Sequence, residues 1–281
     1  MKFLEQLAGQ IVSLGVSTFQ DMAIILPNKR AQRMLLQEIA KRMEKPAFAP
    51  TIFTINDFIE NLSPLQKLDQ LGLLTQLYAV YKTHHPAENE DFNEFLSWAP
   101  VFLDDINDID LQLADGKDIF DNLAEEKKFS IPFGQEDMSE SQQNTIDFYN
   151  MLSGLYLDYK VQMLQQNFGY EGLVYRDCAE NMNEYISRFS FKHYVFAGFH
   201  VLSPSELEIV SYLKEHFETH FYFDIDPFYC DFNKKDDFTT AFFIKQICDK
   251  LTLSKDNIIF KSKDYFDVRK DIDVVGTSKS M

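Results

Sequence analysis

No run of about 18 apolar residues occurs in this 281-residue chain, which excludes a membrane-spanning helix of ordinary length. The first fifteen residues mix polar and apolar positions like an amphipathic helix rather than a secretory signal. Cysteine is scarce: Cys178, Cys230 and Cys248 form an odd, widely spaced set without a CxxC pair. That pattern excludes a disulfide framework or a zinc ribbon and points to the reducing cytoplasm. Positive charge is short as well, with 27 basic against 44 acidic residues and a net charge of −17. Nucleic acid therefore cannot be wrapped over the whole surface, because each phosphate contact needs a local Lys or Arg. Apolar residues are not lacking. A hydrophobic content of 45% with 27 Phe excludes intrinsic disorder, and the length fits one large or two small domains.

Five short runs read as buried strands: Ala23–Leu26, Thr51–Ile55, Tyr194–Ala197, Phe221–Asp224 and Ile272–Val275. Helical patterns follow the first four, the alternation of an α/β parallel sheet. Between Leu65 and Ser190 no strand is evident. Helix-period stripes occur there instead, such as Leu71/Leu74/Tyr78/Tyr81 and Phe95/Phe102/Ile106/Ile109/Leu113. The expected organisation is an α/β domain made of residues 1–64 and 191–281, interrupted by an all-helical insertion at 65–190. The insertion carries 8 basic and 23 acidic residues, whereas 1–64 carries 7 and 6. Almost all the acidity thus belongs to the insertion, which is expected to face solvent or a protein partner rather than nucleic acid. Lys29, Arg30, Arg33, Lys41, Arg42 and Lys45 cluster in the first α/β unit. After Ile272–Val275 comes only Gly276-Thr277-Ser278-Lys279-Ser280-Met281. A parallel strand is normally covered by helices on both faces, so the chain is expected to be the N-terminal part of a longer polypeptide.

The first unit reads Met22-Ala23-Ile24-Ile25-Leu26-Pro27-Asn28-Lys29-Arg30-Ala31, a strand, a turn and a helix start. Ligands of open α/β sheets bind at the carboxyl ends of strands, so Asn28, Lys29 and Arg30 stand where a phosphate could meet free N–H groups and two cations. This segment resembles the motif after the Walker A helix in UvrD-type superfamily 1 helicases, where a strand ending in Thr-Asn-Lys-Ala-Ala contacts single-stranded DNA. Thr51-Ile52-Phe53-Thr54-Ile55 resembles the next helicase motif, which also borders the DNA strand. Tyr194-Val195-Phe196-Ala197-Gly198-Phe199-His200 occupies the place of the Walker B strand, and Phe221-Tyr222-Phe223-Asp224-Ile225-Asp226 that of the strand carrying Gly-Asp-Asp-Asp-Gln. The order is preserved. Further short matches, Phe95-Leu96-Ser97-Trp98 and Gly172 to Arg176, extend a resemblance to the AddB/RexB-like PD-(D/E)XK nuclease family proteins of Bacteroidetes type over nearly the whole chain.

The departures from that pattern carry as much meaning. ATP hydrolysis needs a phosphate cradle and a carboxylate on the metal, yet no GxxxxGK[ST] occurs and Ala197-Gly198 replaces the Walker B carboxylates. The resemblance therefore implies a P-loop-helicase-like parallel sheet of the domain 1A type lacking Walker A and B. Its implied role is a non-hydrolytic, DNA-binding and scaffolding region of a double-strand-break repair helicase–nuclease. Asn28, Lys29, Arg30 and Thr54 would line the DNA side, an AddA-like motor helicase subunit would be the partner, and no membrane is involved. No cofactor is implied for this region; Mg2+ would belong to a nuclease domain downstream. The alternative is a protein-interaction module without nucleic-acid contact.

No catalytic site can be assembled within these residues. The acidic-x-Lys pairs, among them Asp115/Lys117, Glu126/Lys128 and Asp158/Lys160, are about as many as the roughly three that chance supplies in this composition. They also sit in helical or loop context. Asp104 to Asp110 lacks the spacing of a calcium loop and reads as the wet face of the Phe102/Ile106/Ile109 helix. His84-His85 and His216/His220 lack the intervening Glu of a zinc helix, with His220 read as a strand start. Asp224 and Asp226 read as remnants of the helicase motif or as N-terminal helix anchors rather than as metal ligands. Ser203-Pro204-Ser205-Glu206 reads as an N-cap with Pro at the first helical position.

Overall fold

The structure, a computed structural model, describes residues 3–84, 92–129, 140–224 and 242–253. The strand expected over Ile272–Val275, with Cys230, His85 and Asp226, lies outside them. In chain order the elements begin with α1 (Phe3–Ser13), β1 (Met22–Leu26), α2 (Lys29–Ala40), β2 (Thr51–Thr54), α3 (Ile55–Leu62), β3 (Gln66–Lys67) and α4 (Gln70–His84). Then come α5 (Phe92–Leu111), α6 (Gly116–Phe129), α7 (Glu140–Gln165), β4 (Phe168–Gly169), α8 (Glu171–Glu180) and α9 (Met182–Tyr185). The series closes with β5 (His193–Ala197), α10 (Pro204–His216), β6 (Glu218–Tyr222) and α11 (Phe242–Lys250). The expected α/β class holds: β2, β1, β5 and β6, in that order, form a four-stranded parallel sheet, and helices make up most of the rest. Among the described residues no helix is long and apolar enough to cross a membrane.

The chain divides into two compact units, one of Met1–Ile52, His193–Val201 and Thr219–Met281, the other of Phe53–Lys192 and Leu202–Glu218. This partition places α3 and α10 with the helices of the second unit. In the first, β1 is buried along its whole length and pairs with β5, Met22 opposite His193 through Ile25 opposite Phe196. An interior parallel strand is covered on both faces, hence its unbroken apolar run. Leu7, Ala8 and Ile11 of α1 and Leu35 and Ile39 of α2 pack with Ile24, Leu26, Val195 and Ala197 to form the core.

In the second unit an aromatic chain links three helices: Tyr78 of α4 meets Phe92 and Phe95, and Trp98 meets Phe102 and Phe148 at ring separations of 4.9 to 6.1 Å. The expected α4 stripe is only half right. Leu71 is 69% exposed, and the buried face runs through Leu74, Leu77, Val80 and Tyr81. The expectation of no strand in this region is corrected by β3 and β4, which pair in parallel with Gln66 opposite Phe168 and Lys67 opposite Gly169. Two-residue strands are too short to show a period of two. α10 begins with the expected cap: Pro204 opens the helix, the Ser203 hydroxyl accepts from the Glu206 N–H, and the Glu206 carboxylate accepts from the Ser203 N–H. α10 ends at His216, and His220 lies in β6, so the two histidines do not share a helix.

Candidate functional site

The turn between β1 and α2 consists of Pro27 and Asn28, both exposed at the carboxyl end of a buried strand. Asn28 holds an extended backbone (φ −156°, ψ 157°), and its side-chain oxygen accepts from the Ala31 N–H at 2.9 Å. This fixes the first turn and satisfies one of its unpaired donors, while the preceding N–H groups remain directed outward. Lys29 and Arg30 occupy the first two helical positions, both exposed, and the first turn holds no acidic residue. Positive helix end and two cations act in the same sense, so an anion is favoured here. Among the described residues no carboxylate pairs with Arg30 or Arg33.

The basic cluster of the sequence separates into two. Lys29, Arg30 and Arg33 stand at the start of α2, whereas Lys41 and Arg42 follow its far end, about 18 Å along a twelve-residue helix. These last two contact Glu38 at 2.5 and 3.0 Å. Hydrogen bonds from Lys41 and Arg42 hold the Glu38 carboxyl below its ordinary range. Their charge is largely answered locally.

At the end of β5, Gly198 adopts φ +77° and donates its N–H to the Tyr222 carbonyl at 2.9 Å. A Cβ there would lie 3.5 Å from the Phe3 ring and 3.8 Å from Pro27. The position that the helicase resemblance would equate with a metal-binding carboxylate is a left-handed glycine flanked by the Phe3 and Pro27 rings. Gly198 and the two rings beside it offer a metal ion no side-chain oxygen or nitrogen.

Thr54 belongs to the other unit. It is 6% exposed, and its hydroxyl oxygen accepts from the Asp57 N–H at 3.0 Å as the N-cap of α3. The structure groups Asn28, Lys29 and Arg30 in one turn and gives Thr54 a capping role of its own.

The helical unit contains a polar centre that sequence reasoning missed. The run Asp104 to Asp110 is wet only in part: Asp104, Asp105 and Asp108 are exposed, but Asp110 is 0% exposed, which corrects the expectation of a uniformly solvated face. Tyr156 donates its hydroxyl to Asp110 Oδ1 at 2.8 Å, and Tyr170 donates to Oδ2. Arg176 Nε lies 2.7 Å from Oδ1 and Lys160 Nζ 3.5 Å away. The Arg176 guanidinium also donates to the carbonyls of Ile109 and Ala114. Burial, and then the Asp110 charge, push the Tyr156 and Tyr170 hydroxyls far above their ordinary range, so both remain donors. One turn earlier, the Asn107 side chain accepts from the Gly172 N–H at 2.7 Å, and a Cβ on Gly172 would stand 2.1 Å from the Asn107 carbonyl oxygen. The Gly172 to Arg176 motif is thereby explained as packing of α8 against α5. The signal available for Asp110 was its spacing, four residues after Ile106 and seven after Leu103, which puts it on the apolar face as an inward acid that requires a partner elsewhere.

No family model matches this chain, and no curated protein matches it significantly.

Proposed function

We propose that this chain is a non-hydrolytic, helicase-like DNA-binding and scaffolding region of a strand-break repair helicase–nuclease, with the nuclease domain and its Mg2+ outside these residues and an AddA-like motor subunit as partner. The observation that carries this reading is the β1–α2 turn, where Asn28 presets a helix start and Lys29 and Arg30 stand beside outward-directed N–H groups. Such contacts hold a phosphate backbone without reading bases. The apolar surroundings of Gly198 support the non-hydrolytic part of the proposal. Thr54 contributes by fixing the start of α3 rather than by presenting its hydroxyl.

Salt titration of single-stranded oligonucleotide binding tests the reading. Replacing Lys29 and Arg30 together with Ala is expected to weaken affinity for all sequences alike and to lower the slope of log K against log salt by about 0.7 for each cation removed. An unchanged affinity and slope would remove the DNA assignment and leave the protein-interaction module in its place.

A further inference from the structure

We propose that the pocket at the C-terminal end of α2 is a base-binding subsite for single-stranded DNA, reached by a strand whose phosphates lie along the cationic half of the same helix. This deepens the function proposed above and rests on it. The pocket has a volume of about 400 Å³, and its walls include Phe19, Leu36, Ile39, Met43 and Phe48, a size and character typical of small-ligand clefts.

Helical spacing joins the pocket to the cationic turn. Lys29, Arg33, Leu36 and Ala40 follow one another at intervals of four, three and four residues, so they share one ridge of α2. All four are exposed, and the ridge spans about 16 Å. Its first half is cationic, with Arg33 lacking a carboxylate partner among the described residues; its second half is apolar and forms one wall of the pocket. At the rim, Phe48 is 74% exposed, more than any other large apolar side chain among the described residues.

An exposed aromatic ring beside a row of cations matches the chemistry of a single strand, which offers a flat apolar base and an anion at every step. Charge selects the occupant. An apolar segment of a protein could fill the pocket but would leave Arg30 and Arg33 unanswered, whereas a strand satisfies both halves of the ridge. Glu44 and Lys45 on the rim carry opposite charges and offer an acceptor and a donor to a base edge.

The test uses the 281-residue chain, a fluorescein-labelled oligothymidine and the same oligonucleotide with abasic sites, read by anisotropy over a salt series. Phe48→Ala, which alters an exposed side chain and should preserve the circular dichroism spectrum, is expected to weaken oligothymidine binding roughly 5- to 100-fold, with the salt slope unchanged. Phe48→Tyr should restore affinity, and the abasic strand should not distinguish Phe48→Ala from the parent chain. If Phe48→Ala binds oligothymidine as the parent does while the Lys29/Arg30 variant is weakened, the base subsite is overturned and the DNA reading stands. If neither variant alters binding, both are overturned.

Discussion

The α/β unit surrounds β1 with Leu, Ile, Ala, Met and Phe side chains, whereas the helical unit closes the junction of α5, α7 and α8 around a carboxylate. Among the described residues every buried Ser, Thr or charged side chain, Thr54, Ser63, Asp110, Ser153 and Ser205, belongs to the helical unit. The contrast follows from how each architecture fixes its register. Parallel strands are aligned by their own ladder hydrogen bonds, so the side chains between them need only fill space. Helices satisfy their backbone internally, and apolar contact alone lets one slide against another. A buried acid with four partners on neighbouring segments supplies the missing direction.

The largest effect that would break this comparison is loss of Asp110. Asp110→Ala leaves the mostly buried Arg176 with only the more distant and exposed Glu180 carboxylate as counter-charge, and is expected to destabilise the chain by about 3 kcal/mol in urea unfolding. Removing the partner as well, in an Asp110→Leu/Arg176→Met double variant, should recover a good part of that stability. A single variant costing under about 1 kcal/mol would show that the centre fixes nothing.

A smaller change sharpens the contrast at α10. Ser203→Ala removes the acceptor for the Glu206 N–H and should cost about 1 kcal/mol by the same measurement. Retention of full stability would mean that water replaces the cap.

The smallest effect is pH-dependent. Burial raises the Glu206 carboxyl above its ordinary 4.5, against the lowering effect of its hydrogen bonds from Ser203. The folded state then holds the proton more tightly than the unfolded state. This contribution to stability falls as pH rises from the ordinary Glu value through the raised one, and levels off beyond it. Glu206→Gln retains an acceptor for the capping box and should flatten the fall in urea midpoint as pH rises above the ordinary Glu value. An undiminished fall in the variant would assign it to another acid, such as the half-buried Asp177, which desolvation also raises.

The sheet was legible because β1 is apolar throughout and β5 is buried from Tyr194 onward, as interior parallel strands must be. β6 was placed late, at Phe221 rather than Glu218. It ends the sheet order, and its first three residues, Glu218, Thr219 and His220, are not buried and carry no apolar signal. The Asn28 turn could be read from its residue types, since strand, Asn and helix start lie within seven positions. Asp110 was harder: its partners lie far along the chain, and a carboxylate at the end of an acidic run looks much the same in sequence whether it meets water or a guanidinium. The division of the basic cluster was likewise hidden, because sequence proximity does not show that twelve helical residues separate two cationic groups by several turns.

The long reach of the Asp110 contacts also constrains the order in which the chain can mature. Tyr156 and Tyr170 lie 46 and 60 residues downstream of Asp110. While the polypeptide emerges from the ribosome, α5 can form with Asp110 still in water, but its final seat does not exist until α8 has been synthesised. This junction of the helical unit must therefore be completed late, and a chain halted before Arg176 would leave Asp110 without its guanidinium and α5 without its contacts to α8.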